Sequence, residues 1–395
     1  MTGVLIFVAA ILIVVMIHES GHFFVAKAFN FKATKYFVGF GPTLWSVTRG
    51  ETEYGVKALP LGGFVKIVGM NPYEEIPPED QPRSYPNKPI WQRALVIVAG
   101  SATHFVVAFL ILVFAAMAIG FPTGEVSTEL RVVQTTVGED DAESPASAAG
   151  LLPGDNIVGI DGTPVDSWAE IRSFIRSNAG GSAVFSVERD GETIDLQVRL
   201  GQALFDAEGR VVDYAPPGDS LPAADEGQER AGFLGVSPMF VHQKENFVGA
   251  IGEAGYWTWD ATKDSVRGMG ETFNMVFGGE LWDALTGSGE REIDEGPLGI
   301  VGASRIAGQS ISANDPLSLV GLIVGFTVFV GLMNLLPLPP LDGGHLAVLG
   351  YEAITKKRVD VRKLIPIAAA VISFFVVLFI AVLYLDLARP VKVPF

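Results

Sequence analysis

Between Val4 and Ala26 the chain reads VLIFVAAILIVVMIHESGHFFVA, and five of these residues, His18-Glu19-Ser20-Gly21-His22, decide what kind of protein this is. Outside those five the run is apolar and long enough to cross a bilayer, which takes roughly 20 helical residues. On a helix, positions i and i+4 share one face, so the imidazoles of His18 and His22 can reach a single metal ion. Glu19, beside the first of them, is placed to act as general base toward a water activated by that metal. In a soluble protein such a pattern arises by chance. Inside an apolar span an ionisable group costs roughly 2.5–3.5 kcal/mol even on a lenient scale. Three polar groups on one such helix need a compensating role, and a merely structural polar cluster supplies a weaker one than a metal.

A catalytic metal of this type needs a third protein ligand and one open position. The chain has no cysteine, so the ligand must be histidine or carboxylate. A second run supplies it: Asn334-Leu-Leu-Pro-Leu-Pro-Pro-Leu-Asp-Gly-Gly-His345. Its three prolines break a helix and free backbone groups at membrane depth, which is tolerated only beside protein or a water-filled cavity. Asp342 is the sole acid in this apolar run, and Gly343-Gly344 let backbones approach closely. The competing reading of Asp342 is a helix cap. Beside His18 and His22, ligation accounts for it better.

Working outward, hydrophobic residues make up 49% of 395 positions while the net charge is −16, a combination that joins membrane spans to an acidic soluble part. Four runs are expected to cross the bilayer: Val4–Ala26, Ala94–Ile119, Leu317–Leu336 and Leu364–Leu385. The first lacks a basic leader and a small-residue cleavage site, so it reads as a retained span. Lys27–Arg93 holds 9 Lys/Arg against 6 Asp/Glu, 337–363 holds 5 against 3, and 120–316 holds 12 against 33. By the positive-inside rule the two basic loops face the cytoplasm. Both termini and the acidic region then lie outside a cytoplasmic membrane.

Residues 31–70 are aromatic, glycine-rich and alternating, in the runs Tyr36–Phe40, Leu44–Thr48, Tyr54–Leu59 and Phe64–Val68. They predict a membrane-associated β-hairpin or sheet beside the first span. Gly62-Gly63 would permit close approach, and Gly62, Gly63 and Phe64 are candidate substrate contacts. Within 126–200, a strand at Glu129–Thr135 precedes Pro145-Ala-Ser-Ala-Ala-Gly-Leu-Leu-Pro-Gly-Asp-Asn-Ile-Val-Gly-Ile-Asp-Gly. A helix over Trp168–Ser177 and a hairpin turning at Asp190-Gly191 follow. This order resembles a PDZ domain of the bacterial, circularly permuted kind, which would take a peptide by strand addition. Residues 201–245 read as a flexible acidic linker, rich in Asp, Glu, Pro and Ala over 202–231, and a return strand at Gly232–Val236. The region 246–316 is expected to be helical and interfacial, because Phe247–Phe277 carries aromatic and aliphatic residues at helical spacing.

The paired metal motifs, with Gly39-Phe-Gly-Pro42, Leu59-Pro-Leu-Gly-Gly-Phe64 and Gly296-Pro-Leu-Gly-Ile300, resemble the site-2 protease family, within it the bacterial regulator-of-sigma-E protease group. The likeness spans nearly the whole chain. It implies a polytopic α-helical membrane protein of about four spans, with an inserted α+β PDZ domain between residues 1–120 and 317–395. It implies a zinc endopeptidase that cuts a single-span membrane protein, such as an anti-sigma factor, within the bilayer. His18, His22 and Asp342 would bind Zn2+, Glu19 would be the base, and Asn334 would contact the substrate backbone or its developing oxyanion. Membrane lipid and a peptide at the PDZ domain are the other expected partners, and nucleic acid is not.

There are departures from the family's pattern. Its second span usually carries Gly-Pro-x-x-Asn where Gly100-Ser-Ala-Thr-His104 stands here. His104 is therefore a packed core histidine, a fourth ligand or an Asn-like substrate contact, the first being the plainest reading. His345 reads as a partner of a ligand and not as a ligand, and His242 has no partner motif. An inactive PDZ scaffold would have lost Glu19 or a ligand, and none is lost. A metal-ion transporter would spread ionisable groups along several spans, whereas here they converge on one depth.

Overall fold

The run that opens the chain forms helix α1 (Thr2–Ala28), and Asn30, at positive φ, turns the backbone out of it. The computed structural model describes residues 2–71, 73–137, 142–207, 209, 211–225, 227–287, 297–312 and 315–390. Two long strands follow α1, β1 (Ala33–Arg49) and β2 (Thr52–Ile67). Gly39 and Gly41, both at φ +82°, bend β1 into two legs that flank the same part of β2. Residues 45–49 pair with 52–56, while 35–38 lie beside both 63–66 and 53–56. The four expected runs are thus four legs of one bent sheet. At its tip Glu51 receives two hydrogen bonds from Arg83, at 2.6 and 2.7 Å, and a third from Lys27. The Arg83 guanidinium, then the Lys27 ammonium, hold the Glu51 carboxyl down at about 2, so this clamp between sheet and α1 keeps its charge well into acid. Helix α2 (Ile90–Ala118) returns alongside α1.

The second unit, Gly120–Lys244, begins with β3 (Phe121–Val133), the short pair β4 (Thr136–Val137) and β5 (Ala142–Glu143), and the single turn α3 (Pro145–Ala148). Next come β6 (Asn156–Ile160), β7 (Thr163–Pro164), α4 (Trp168–Ser177), β8 (Ser182–Arg189) and β9 (Glu192–Arg199). β6–β7 and β8–β9 turn at Asp161-Gly162 and Asp190-Gly191, all four residues at positive φ, as two-residue hairpins of this twist require. Asp155, 1% exposed in its side chain, holds Arg189 through both carboxylate oxygens (2.6 and 2.7 Å) and accepts the Leu152 N–H. This explains the acid after Pro153-Gly154. Ile171 and Ile175 on one face of α4 close a core with Leu130, Ile157, Phe185 and Val198.

The stretch 202–231, expected as a flexible acidic excursion, is structured in large part. β10 (Gly201–Phe205), β11 (Val211–Ala215) and β12 (Glu229–Phe233) form an antiparallel sheet in the order β11-β10-β12. Ala203 and Ala231 are buried against Phe205, and Leu204 packs with Ala215 and Leu221. The few apolar residues of this stretch thus form two small clusters, one holding Ala203, Phe205 and Ala231 and the other Leu204, Ala215 and Leu221. The return strand expected at Gly232–Val236 is divided, Gly232 and Phe233 ending β12 and Val236 opening β13 (Val236–Gln243), which pairs with β3 and completes the sheet order β13-β3-β6-β8-β9.

The first unit resumes with α5 (Phe247–Gly278), capped by the Asn246 side chain, then α6 (Glu280–Thr286), α7 (Ile300–Ser312), α8 (Pro316–Asn334), α9 (Asp342–Thr355) and α10 (Ile365–Ala388). α5 was expected as an interfacial helix; it lies against α2 and α8, and its Phe277 stacks on Phe374 of α10. Of the Gly296–Ile300 run, Gly296 lies outside the described residues. Gly299 and Gly302 donate backbone N–H groups to Asp386, buried in α10 (3.3 and 2.9 Å), so the last helix caps α7.

Among the described residues three segments are long and apolar enough to cross a membrane: Ile90–Ala118, Pro316–Asn334 and Arg362–Ala388. The outer side of α10 exposes Ile372, Val376, Val377 and Ile380, a surface suited to lipid and not to water. Arg93 at the start of α2 pairs with Glu352 in α9 at 2.9 Å, each side chain 9% exposed. That bridge fixes α9 against α2. Glu352→Ala strands a buried guanidinium and should cost about 3–5 kcal/mol, with a smaller loss for Glu352→Gln, both read from unfolding in detergent.

Candidate metal centre

Three ligand atoms converge where α1, α2 and the start of α9 meet. His18 Nε2 and His22 Nε2 are 3.1 Å apart, and Asp342 Oδ2 lies 3.3 Å from each. A tetrahedral ion with bonds of about 2.0–2.2 Å sets neighbouring donors roughly 3.3–3.6 Å apart, so the triangle has the size that zinc requires. Among the described residues these three are the group of metal-ligating side chains within reach of one another. Oδ2 of Asp342 is buried and accepts no hydrogen bond among them. A carboxylate oxygen and imidazole lone pairs repel one another at this range unless a cation lies between them. The residues present therefore fit the ion.

Each ligand is aimed by its neighbours. His22 Nδ1 donates to the backbone carbonyl of Val96 at 2.8 Å; a carbonyl only accepts, so the lone pair of a neutral imidazole stays on Nε2. Gly100, one turn along α2, leaves the space the rings fill: a Cβ there would lie 2.3 Å from His22 Nε2 and 2.9 Å from His18 Cε1. Asp342 opens α9 directly after the proline-rich loop. A Cβ on Gly343 would meet the carbonyl oxygens of Leu335 and Leu336 at 2.1 and 2.2 Å, so only glycine lets α9 begin this close to the end of α8.

Glu19, between the two histidines on α1, also reaches the sheet. Its Oε2 accepts the backbone N–H of Val65 in β2 at 3.0 Å. Ser20 bonds Tyr36 of β1 at 2.7 Å, and a Cβ on Gly63 would lie 2.4 Å from Met16 Sδ. Gly62 and Gly63 thus bring β2 against α1 beside the carboxylate, and the Phe64 ring stacks on Phe37 and Phe40. Asn334, half-buried, is the last residue of α8.

His104 is fully buried in α2, and its Nε2 lies 3.0 Å from His18 Nδ1, the ring nitrogen opposite the ligand atom. His345 lies one turn beyond Asp342 and lines an apolar cleft with Tyr73, Pro340 and Leu364. His242 sits in β13. The roles of the Val96 carbonyl and of Gly100 were not anticipated; with His104 they recur at every fourth position of α2.

Comparison with known proteins matches residues 6–380 to the model of peptidase family M50. The chain is 34% identical over 370 residues to the zinc metalloprotease Rip1 of Mycolicibacterium smegmatis, covering 89% of this chain and 86% of that one. It is 33% identical to Rip1 of Mycobacterium tuberculosis, over 99% of this chain and 98% of that protein. It is 31% identical to the metalloprotease MmpA of Caulobacter vibrioides, over 90% and 89%. With a family match over almost its whole length, the chain belongs to peptidase family M50, the site-2 proteases, and is a membrane-bound zinc metalloprotease.

Proposed function

We propose that the enzyme cuts a single-span membrane protein, such as an anti-sigma factor, within its transmembrane helix, using His18, His22 and Asp342 to hold zinc and Glu19 as base. The observation that carries this is the meeting of a zinc-sized donor triangle with a carboxylate whose other neighbour is the β2 backbone. Zinc in such a site supplies Lewis acidity, which polarises a carbonyl and makes water more acidic. Glu19 takes the proton from the attacking water and passes it to the departing amide nitrogen. Helical amides are shielded by their own hydrogen bonds, so the substrate must unwind locally. Gly62, Gly63 and Phe64 in β2, with Asn334 at the proline-broken end of α8, hold it extended; in support, Phe64 directly precedes the Val65 amide that bonds Glu19, and Leu335, next to Asn334, lies against the backbone of Gly343 beside Asp342.

The finer architecture belongs to the same reading. α1 is the fourth span, with 27 residues giving about 40 Å of helix. Residues 126–200 of the Gly120–Lys244 unit are a PDZ domain that, with the acidic segment after it, acts as a size filter against substrates with large ectodomains. In support, α4 and the hairpins over 156–199 take the order the resemblance requires, and every proposed catalytic group lies elsewhere. The acidic unit and both termini are extracytoplasmic, and the basic loop near Lys357 is cytoplasmic. Since the chain has no cysteine, an impermeant thiol reagent on intact cells should label Asn178→Cys and spare Lys357→Cys; the reverse pattern would overturn this orientation.

Purified protein should hold about one zinc per chain by elemental analysis. His22→Ala should lose it, and so should Gly100→Ala, which alters no ligand but fills the space the rings occupy. Undiminished zinc in His22→Ala refutes the ligand assignment.

Co-expression with single-span proteins should yield a shortened product from those with short ectodomains and none from long ones. Glu19→Gln should retain zinc and lower the rate by about 10²–10⁴, the usual worth of general acid–base catalysis. Asp342→Asn should instead lose metal. Full turnover by Glu19→Gln, or equal zinc loss in both variants, shows the roles to be wrongly assigned.

A further inference from the structure

His104 is absorbed by nothing in the reaction described above. It is 0% exposed in the middle of α2, where an apolar side chain would pack at no polar cost. Of its two ring nitrogens, Nε2 meets His18 Nδ1 at 3.0 Å. Nδ1 is buried and has no partner among the described residues. A histidine kept only for packing should satisfy both nitrogens or neither, because an unpaired buried polar atom is costly. Here the single bond made is the one that reaches a metal-site imidazole. α8 also makes room for it: a Cβ on Gly331 would lie 2.8 Å from His104 Cβ.

The hydrogen-bond chemistry fixes the direction of this contact. A neutral imidazole that ligates through Nε2 carries its proton on Nδ1. His18 Nδ1 must then donate, and His104 Nε2 must be the bare, accepting nitrogen, with the His104 proton on Nδ1. His22 receives the same service from the Val96 carbonyl. Two ligands on one helix are therefore aimed by acceptors eight residues apart on another, one a backbone oxygen and the other a side chain.

We infer that His104 is a positioning residue for the zinc site: it accepts the Nδ1–H of His18, fixes that ring's tautomer and orientation, and so raises the affinity for zinc. It is not itself a ligand, since it lies behind His18, on the side away from Nε2. The inference rests on the zinc assignment made above and goes beyond it by adding a residue outside the donor triangle. Such partners of metal-bound histidines are typically worth about 10–100-fold in metal affinity.

The test is zinc affinity of the purified full-length chain, measured by competition with a chromogenic chelator, together with the visible spectrum of the cobalt-substituted protein. His104→Leu has no acceptor and should weaken zinc about 10–100-fold and shift the cobalt bands. His104→Gln, whose side-chain oxygen can reach the same nitrogen, should restore affinity to near wild type. Should His104→Leu fail to fold, His104→Phe makes the same comparison with the ring volume kept. Zinc affinity and cobalt bands unchanged in the variant without an acceptor would overturn the positioning role while leaving the ligand set intact. Zinc retained undiminished by His22→Ala, with His104 intact, would instead remove the assignment beneath it, and the positioning role with it.

Discussion

The architecture turns on how α1 meets α2. Two imidazoles and a carboxylate in an apolar setting are costly on their own, and each needs a partner that aims it as well as neutralises it. The Val96 carbonyl supplies this for His22, and the absence of a side chain at Gly100 lets the rings stand between the helices. A carbonyl one turn from its helical norm, or a methyl group at position 100, would leave the donors pointing apart. The remaining contacts of the first unit serve that junction. Arg93–Glu352 holds α9 to α2 at one end, and the glycines after Asp342 bring α9 up to α8 at the other.

The three residues that converge in the candidate metal centre could be read in advance because they are side chains at fixed spacing. His18 and His22 declare themselves by an i, i+4 interval, and Asp342 by being the one acid in a proline-broken apolar run. The parts that escaped are of another kind. A backbone carbonyl carries no residue signature, so Val96 gave no sign of what its oxygen does. His104 was visible as a residue, but its direction was not, and the same letter serves a ligand, a core residue or a ligand's partner.

Composition misled where it was averaged. The stretch 202–231 is acidic enough overall to look disordered, yet Ala203, Phe205 and Ala231 gather on one side of a three-stranded sheet while Leu204, Ala215 and Leu221 gather in a second cluster. The four short runs of the β1–β2 sheet were legible, whereas their joining into two bent strands was not. That depends on Gly39 and Gly41 adopting a positive φ, which lets 35–38 lie between two other legs. For α5, amphipathic spacing shows that one face is apolar but does not say whether lipid or protein covers it, and here α2 and α8 take part of it.

The bond from the Val65 amide to Glu19 also bears on solubility and self-association. A β-strand with open N–H groups is a template for any other strand, including one from a second copy, and proteins blunt such edges by interrupting them. Here the interruption is a carboxylate from a neighbouring helix. It occupies one rung and leaves its own charge there, so an indiscriminate strand finds a broken ladder at that point. That rung of β2 is taken, and the group that takes it belongs to the helix that carries both histidines.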